Sequence, residues 1–261
     1  MHTHPGTETT QARLTARRRM RLALGGLLLL AGVGQSASAF DIPPPPPPMY
    51  QGLIFPLFPG SSAVPFSGQS CSSSGNKSSA SKATASSGHA VATLATEPAQ
   101  VASHARELAA LAPAAQREAL AQAYSQAFEG YRQLERKLGL PESDVANALA
   151  AFIAGNYMAL HQVEVPDASF VRLAAQLRET LPRNPGFSAM SGAAKRKLYE
   201  QSAMQGMFMA LARLAFLKQP QPAAEQNYRA AARASLEAAL KLPAEQIRID
   251  AQGLQLGATT P

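Results

Sequence analysis

The stretch AMQGMFMALARLAFL, residues 203–217, decides the fold of this chain. Drawn as an α-helix, it places leucine, methionine or phenylalanine on nearly every side, and the helical pattern begins near residue 192. A helix that is apolar all round is stable in the middle of a bundle, where other helices cover each of its faces. The stretch therefore predicts a helical bundle with a central apolar helix near 192–218.

Five more helices are predicted around it, because apolar residues recur at steps of three and four along the chain. A proline at or near the first turn marks each start: Pro98, Pro113, Pro141, Pro166 and Pro222. The four that have clear ends lie near 113–138, 143–162, 166–181 and 222–241. The chain has no internal repeat and no run of alternating strands. The predicted fold class is therefore all-α, a single bundle of about six helices.

The bundle is predicted to span residues 95–246. A break falls at 182–186, where two prolines and a glycine follow one another closely. Residues 247–261 are predicted to form a short extended C-terminal tail, because apolar and polar residues alternate from Ile247 to Leu256. That alternation fits either a small hairpin or an extended strap.

The first 39 residues have the order of a bacterial secretory signal peptide. A basic cluster at 17–21 precedes the apolar run 22–33, and small residues up to Ala39 fit a cleavage site before Phe40. The run is shorter than the roughly 20 apolar residues of a membrane-spanning helix. We therefore expect export to the periplasm or the medium, with no integral membrane span after cleavage. Residues 1–19 are either a long n-region or an untranslated extension, and paired arginines leave general secretory and twin-arginine export both open.

Residues 40–94 have the composition of a disordered tether rich in proline and then in serine and alanine. Six consecutive prolines, 43–48, predict a stiff polyproline II rod. Residues 67–87 bury too little apolar surface to offset the entropy of folding. Between them lies the apolar segment, residues 50–66, in which prolines interrupt seven bulky residues: Tyr50, Leu53, Ile54, Phe55, Leu57, Phe58 and Phe66. Its docking place is the domain, a partner or a membrane surface, and the sequence leaves that choice open.

Charge and composition argue against several functional classes. The formal net charge is +7, but much of the excess lies in the predicted signal peptide, and elsewhere basic and acidic residues are interleaved. Such a surface offers no broad positive field for phosphates, so nucleic-acid binding is not expected. The one cysteine excludes an internal disulfide. His104 and His161 are far apart in sequence, and no metal or cofactor site is predicted.

Cleavage of cell-wall glycan is the enzymatic alternative that the sequence allows. Such hydrolysis requires a buried carboxyl group with a raised pKa, commonly with a second carboxylate nearby. Glu200 is the best candidate acid, because it precedes the apolar half of the helix near 192–218, and Glu129 and Glu164 are weaker candidates. The chain has no tryptophan, so a sugar-stacking cleft is difficult to build.

Several polar residues are expected near buried helix faces: Asn156, Tyr157, Glu200, Gln201 and Gln205. Buried polar groups require partners. These five residues either line a small pocket or tie the helix near 143–162 to the helix near 192–218, and we favour the second interpretation. The basic run 195–197 is predicted to be a solvated helix face.

Four short motifs make the chain resemble a family of uncharacterised bacterial exported proteins. They are GLPESDVANAL at 139–149, AGNY at 154–157, LYEQ at 198–201 and the closing Gly253-Leu254. The resemblance covers roughly residues 97–256. It implies export and a helical domain behind a variable N-terminal tail. It implies no activity, ligand or catalytic residue.

The sequence thus predicts an exported, non-enzymatic helical module that acts as an interaction or structural component of the bacterial cell envelope. Its expected partner is an unidentified envelope protein or surface, and no catalytic, cofactor or metal-ligating residue is assigned. The alternative is a small exported hydrolase that uses Glu200 as its acid. A pocket that holds Glu200 beside a second carboxylate favours the enzyme. A filled interior with Glu200 bonded to neighbouring helices favours the module.

Overall fold

The computed structural model describes residues 92–257, which contain seven α-helices and one two-stranded sheet. The elements are α1 (Val101–Ala109), α2 (Arg117–Lys137), α3 (Val145–His161), α4 (Asp167–Thr180), α5 (Pro185–Ser188), α6 (Gly192–Lys218), α7 (Pro222–Leu240), β1 (Ile247–Asp250) and β2 (Gly253–Leu256). The prediction of an all-α bundle is confirmed. Six helices lie where the apolar spacing predicts them, and the four-residue α5 begins within the predicted break. The predicted signal peptide, the rod and the apolar segment lie outside the described residues.

Polar side chains at the helix starts explain why several helices begin where they do. Asp144 precedes α3, and its carboxylate accepts a hydrogen bond of 2.9 Å from the backbone N–H of Ala146. Ser191 caps α6 in the same way through the N–H of Ala194. Each cap satisfies one of the donors that a helix start leaves without a partner. At the other end of α2, Gly139 has φ +62°, a conformation that glycine adopts at little cost.

The middle of the bundle is shared by α3 and α6. In α3, all of the residues from Val145 to Asn156 are buried. This helix packs against α4, α6 and α7, whereas α6 packs against α1, α2, α3 and α7. The helix predicted to be central therefore touches four others, and α3 is its buried partner.

Glycines let α3 and α6 approach closely where they cross. A methyl group added to Gly155 would overlap the backbone carbonyl of Gly206. A methyl group added to Gly206 would overlap the backbone of Ala151 and Phe152 in α3. The two backbones are therefore in direct contact, without intervening side chains, and this contact sets the separation of the two helices.

Aromatic side chains fill the space between α2, α6 and α7. Tyr124 of α2 and Tyr228 of α7 both pack against Phe208 of α6, with ring centroids 5.2 and 6.1 Å from it. Nearer the start of α6, Tyr199 meets Phe128 edge to face at 5.8 Å. Ring pairs at these separations and tilts are favourable beyond the area they bury. They join the apolar stripes of the predicted helices into one core.

The C-terminal tail forms a hairpin, which is the first of the two alternatives left open by the sequence. Strands β1 and β2 pair antiparallel, with Ile247 opposite Leu256. The side chain of Gln176 in α4 accepts a hydrogen bond of 2.8 Å from the N–H of Leu254. Because Ile247 and Leu254 are buried, the hairpin packs on the bundle rather than extending away from it.

The last turns of α6 depart from the expectation that residues 203–217 are covered on every side. Leu214 is 38% exposed and Leu217 is 58% exposed. Met207 and Leu211, on the same side of the helix, are partly buried. Neighbouring helices cover the first two-thirds of α6, and one apolar face near its end reaches the surface.

Candidate functional site

Glu200, the predicted acid, lies fully buried between α6 and the start of α1. Its carboxylate lies 2.7 Å from Nδ1 of His104 and accepts hydrogen bonds from the backbone N–H of Gln100 at 3.1 and 3.3 Å. A guanidinium nitrogen of Arg196 lies 3.9 Å away. A carboxylate in this position neutralises the positive end of α1 and satisfies a backbone donor there. Glu200 therefore fastens α1 to α6.

A second buried carboxylate, Glu135, was missed by sequence reasoning. It accepts hydrogen bonds from the hydroxyl groups of Tyr131 at 2.8 Å and Tyr199 at 2.9 Å, and the nearest charge is Arg132 at 3.7 Å. Burial raises its pKa to about 7, although these donors and Arg132 act in the opposite direction. The spacing of Phe128, Tyr131 and Glu135 places the carboxylate on the apolar stripe of α2. That position is the signal that would have identified it.

A surface cleft of about 450 Å³ opens between α1, α2, α6 and the connection that precedes α3. Its described lining residues are Ala99, Val101, Phe128, Glu129, Arg132, Arg136, Glu142, Ser143 and Arg196. Of the three acids proposed from the sequence, Glu129 is in this set, and Glu200 and Glu164 are not. The buried Glu135 is not in the set either. The cleft therefore does not present a buried acid to a bound sugar.

Two of the polar residues singled out from the sequence, Gln201 and Asn156, have hydrogen-bond partners of different kinds. Gln201 donates a hydrogen bond of 3.1 Å to Glu107 of α1. The amide of Asn156 bonds back to the carbonyl of Phe152 within α3. Glu200 and Gln201 therefore tie α6 to α1, whereas the favoured interpretation expected the partner of α6 to be α3.

The basic run at the start of α6 is not a uniformly solvated face. Arg196 is buried, and its guanidinium donates to the carbonyls of Ala95 and Glu97, to the latter at 2.6 Å. It also lies over the ring of Tyr199, with 5.4 Å between the guanidinium carbon and the ring centroid. Its neighbour Lys197 fits the prediction better, since it is half-exposed and pairs with Glu107. Spacing alone could not show that the segment before α1 returns to cover Arg196.

The GLPESDVANAL motif forms the junction between α2 and α3. Arg178 of α4 donates to the carboxylate of Asp144 and to the amide oxygen of Asn147, both at 2.6 Å. The amide of Asn147 donates in turn to the carbonyl of Pro141 at 2.9 Å. Arg178, Asp144 and Asn147 are thus bonded to one another or to the junction, and the network holds the turn between α2 and α3 in place.

The described residues offer no metal centre, because no three His, Cys, Asp or Glu side chains between 92 and 257 lie close enough to hold an ion. His104 is occupied by Glu200. His161 lies at the end of α3 against Tyr157, and the pKa of its imidazole is lowered by desolvation and by the positive charges of Arg233 and Arg229. Among the described helices, none combines the length and apolarity that a membrane crossing requires.

The α6 apolar face consists of Met207, Leu211, Leu214 and Leu217. Steps of four, three and three residues place these side chains on one side of the helix. Arg213 lies beside the face and donates to the carbonyl of Gln162 at 3.3 Å. Val163, 40% exposed, follows in the same loop. A set of apolar side chains on one exposed face is typical of an interaction surface, whereas scattered single residues are not.

These observations define an all-helical domain whose buried charges join helices and whose exposed apolar residues include one helix face. The sequence profile of a "Family of unknown function (DUF6683)" matches residues 61–257, and the chain belongs to this family. The predicted membership of an uncharacterised family is thus confirmed, and the match begins well before the motifs that suggested it. No curated protein and no solved structure matches the chain.

Proposed function

We propose that this chain is an exported, non-enzymatic helical module of the bacterial cell envelope, and that it binds a partner protein or surface through the α6 apolar face. The observation that carries the proposal is the exposure of Leu214 and Leu217 near the end of a helix whose middle part is buried. Export is supported by the order of basic, apolar and small residues before Phe40. The proline-rich and serine-rich stretch that follows supports a tether that gives the module reach.

The state of Glu200 supports a binding role over hydrolysis. Its carboxylate is fully buried and faces His104 and the start of α1. A catalytic acid must lie within hydrogen-bond distance of the atom it protonates. Glu135 has the raised pKa that hydrolysis demands, but two tyrosine hydroxyls occupy its oxygens. Substrate would have to displace core residues to reach either group.

The binding proposal is tested by site-specific photo-crosslinking in the exported chain. A photoreactive amino acid at position 214 or 217 is expected to form a discrete intermolecular product with an envelope component. Positions 171 and 111 are matched controls, because Val171 is 38% exposed and Leu111 is 60% exposed on other parts of the surface. Equal crosslinking from all four positions would contradict a specific face.

The hydrolase alternative is tested with purified cell-wall glycan. The exported chain is incubated with the glycan, and soluble fragments are separated by chromatography. We expect no fragments above the buffer control. Fragments released by the natural chain and lost in Glu200→Gln would overturn the proposed non-enzymatic role.

A further inference from the structure

We infer that, in the free protein, the α6 apolar face is covered by the apolar segment of the same chain, residues 50–66. The inference rests on the proposed function in that it concerns the same face. It adds a regulatory step, because a partner must displace the segment to bind. The arguments are the chemistry of the two surfaces and the position at which the tether joins the domain.

The face is suited to an extended apolar peptide. From Met207 to Leu217 it runs for about 15 Å along α6. Met207 is partly buried and can adjust its shape, because methionine has a flexible, unbranched side chain. A face of this length accepts about four or five residues of extended chain.

The apolar segment is the complementary partner that the chain itself supplies. Its bulky residues cluster at Leu53–Phe55 and Leu57–Phe58, and Pro56 and Pro59 disfavour a helix there. Residues 42–70 carry no charged side chain, so the segment can be buried against α6 without removing a charged group of its own from water. Six of the seven bulky residues precede the part of the chain that matches the family. The contact is therefore proposed for this chain and not for the family as a whole.

The tether joins the domain at a suitable distance. The carbonyl of Ala92 accepts a hydrogen bond of 3.4 Å from Lys195, so the chain reaches the domain at the start of α6. From Lys195 to Leu214 the helix rises about 29 Å. Residues 67–91 lie between the apolar segment and Ala92, and a flexible chain of 25 residues rich in serine and alanine has a root-mean-square span of about 25–30 Å. A linker whose span matches the separation of its two sites gives the highest effective concentration, in the millimolar range.

Tryptophan fluorescence tests the inference, because the chain contains no tryptophan. Residues 40–261 are prepared with Phe55→Trp as the only tryptophan. The segment docked on α6 is expected to shift the emission to shorter wavelength than a free tryptophan amide and to protect it from iodide. The double change Leu214→Asp with Leu217→Asp is expected to abolish both effects, and far-UV circular dichroism checks that the helices remain.

Two further pairs of substitutions serve as controls for the fluorescence test. Val171→Asp with Leu111→Asp removes equally exposed apolar residues elsewhere and should leave the emission unchanged. Leu214→Gln with Leu217→Gln repeats the test without added charge. Unshifted emission in the Phe55→Trp protein, or a shift that persists in the α6 variants, would overturn the inference.

Two further outcomes name different occupants. A shift that grows with protein concentration assigns the segment to a second copy, and a shift seen only with lipid vesicles assigns it to a membrane. Either would overturn docking within one chain. Intermolecular crosslinks from position 214 test the proposed function separately, so one proposal can fail while the other stands.

Discussion

Glu135 and Glu200 are both fully buried, but their surroundings differ. Glu200 meets His104, a backbone donor and, at 3.9 Å, the guanidinium of Arg196. Glu135 meets two neutral hydroxyls, and its nearest positive charge is 3.7 Å from one oxygen. Hydroxyl donors stabilise an ionised carboxylate less than a paired cation does. At Glu135 the effect of burial on the pKa therefore outweighs that of the donors, and the pKa is raised.

The free energy of unfolding should depend on pH through the titration of Glu135. Its folded-state pKa of about 7 lies above the ordinary value of 4.5, so the folded protein holds this proton more tightly than the unfolded chain. The associated stability is complete below about pH 4.5 and is lost as the pH rises through 7. The loss is on the order of 3 kcal/mol.

Glu135→Gln should remove this dependence, because the amide keeps an acceptor for the tyrosine hydroxyls and does not titrate. Urea unfolding at pH 5 and pH 8, followed by far-UV circular dichroism, measures the difference. Glu129→Gln, an exposed change on the same helix, is the control and should parallel the natural chain. Stability curves of the natural chain and Glu135→Gln that run parallel would refute the assignment.

At the scale of elements, the crossing of α3 and α6 leaves no room for a larger side chain at its two glycines. Gly155 and Gly206 bring the two backbones together, and Ala151 packs at the same point. Interiors are close-packed, so one added methyl group forces either a backbone shift or separation of the helices. Glycine is unfavourable within a helix by itself, and its presence here reflects the close approach.

Gly206→Ala should destabilise the domain despite the better helix propensity of alanine. The added methyl group would overlap the backbone of Ala151, and we expect a loss of about 2–4 kcal/mol in the free energy of unfolding. Gly186→Ala in α5 is the matched control, because there the methyl group would meet a single side-chain atom of Asn184 at 3.1 Å. Thermal unfolding of both variants measures the contrast, and equal effects would contradict the crossing geometry.

At the scale of the whole molecule, the residues before α1 hold distant parts of the bundle together. The N–H of Ala95 donates to the carbonyl of Ser143 at 2.8 Å, and the N–H of Val145 donates to the carbonyl of Thr93 at 3.0 Å. Arg196 of α6 reaches the same segment from the other side. Within the described residues, Ala92 and Thr93 therefore already contact the bundle.

Arg196→Gln should loosen this segment without unfolding the bundle. Two backbone carbonyls lose a charged donor, which costs about 2 kcal/mol locally. Hydrogen exchange at the amide of Ala95 is expected to accelerate, while amides in the middle of α3 keep their protection. Lys197→Gln removes the adjacent exposed charge and should leave both unchanged. Equal exchange at Ala95 in the natural chain and Arg196→Gln would contradict this role.

Much of the fold can be predicted from the sequence alone, because helix formation depends on the spacing of apolar residues that are close in sequence. Apolar residues at steps of three and four predict the six long helices. The candidate acid Glu200 is likewise predictable as a residue near a buried face. These features rest on interactions between residues close in sequence.

The partners of the buried charges required the tertiary structure, because residues far apart in sequence supply them. Glu200 meets His104 across 96 positions, and Arg196 meets Ala95 across 101. The exposed end of α6 was also hidden from the sequence, since an apolar helix is covered only as far as its neighbours extend. The sequence by itself determined the helices and their order. The tertiary structure decided which face stays open and which partners the buried carboxylates meet, because both depend on how helices pack rather than on the pattern within one helix.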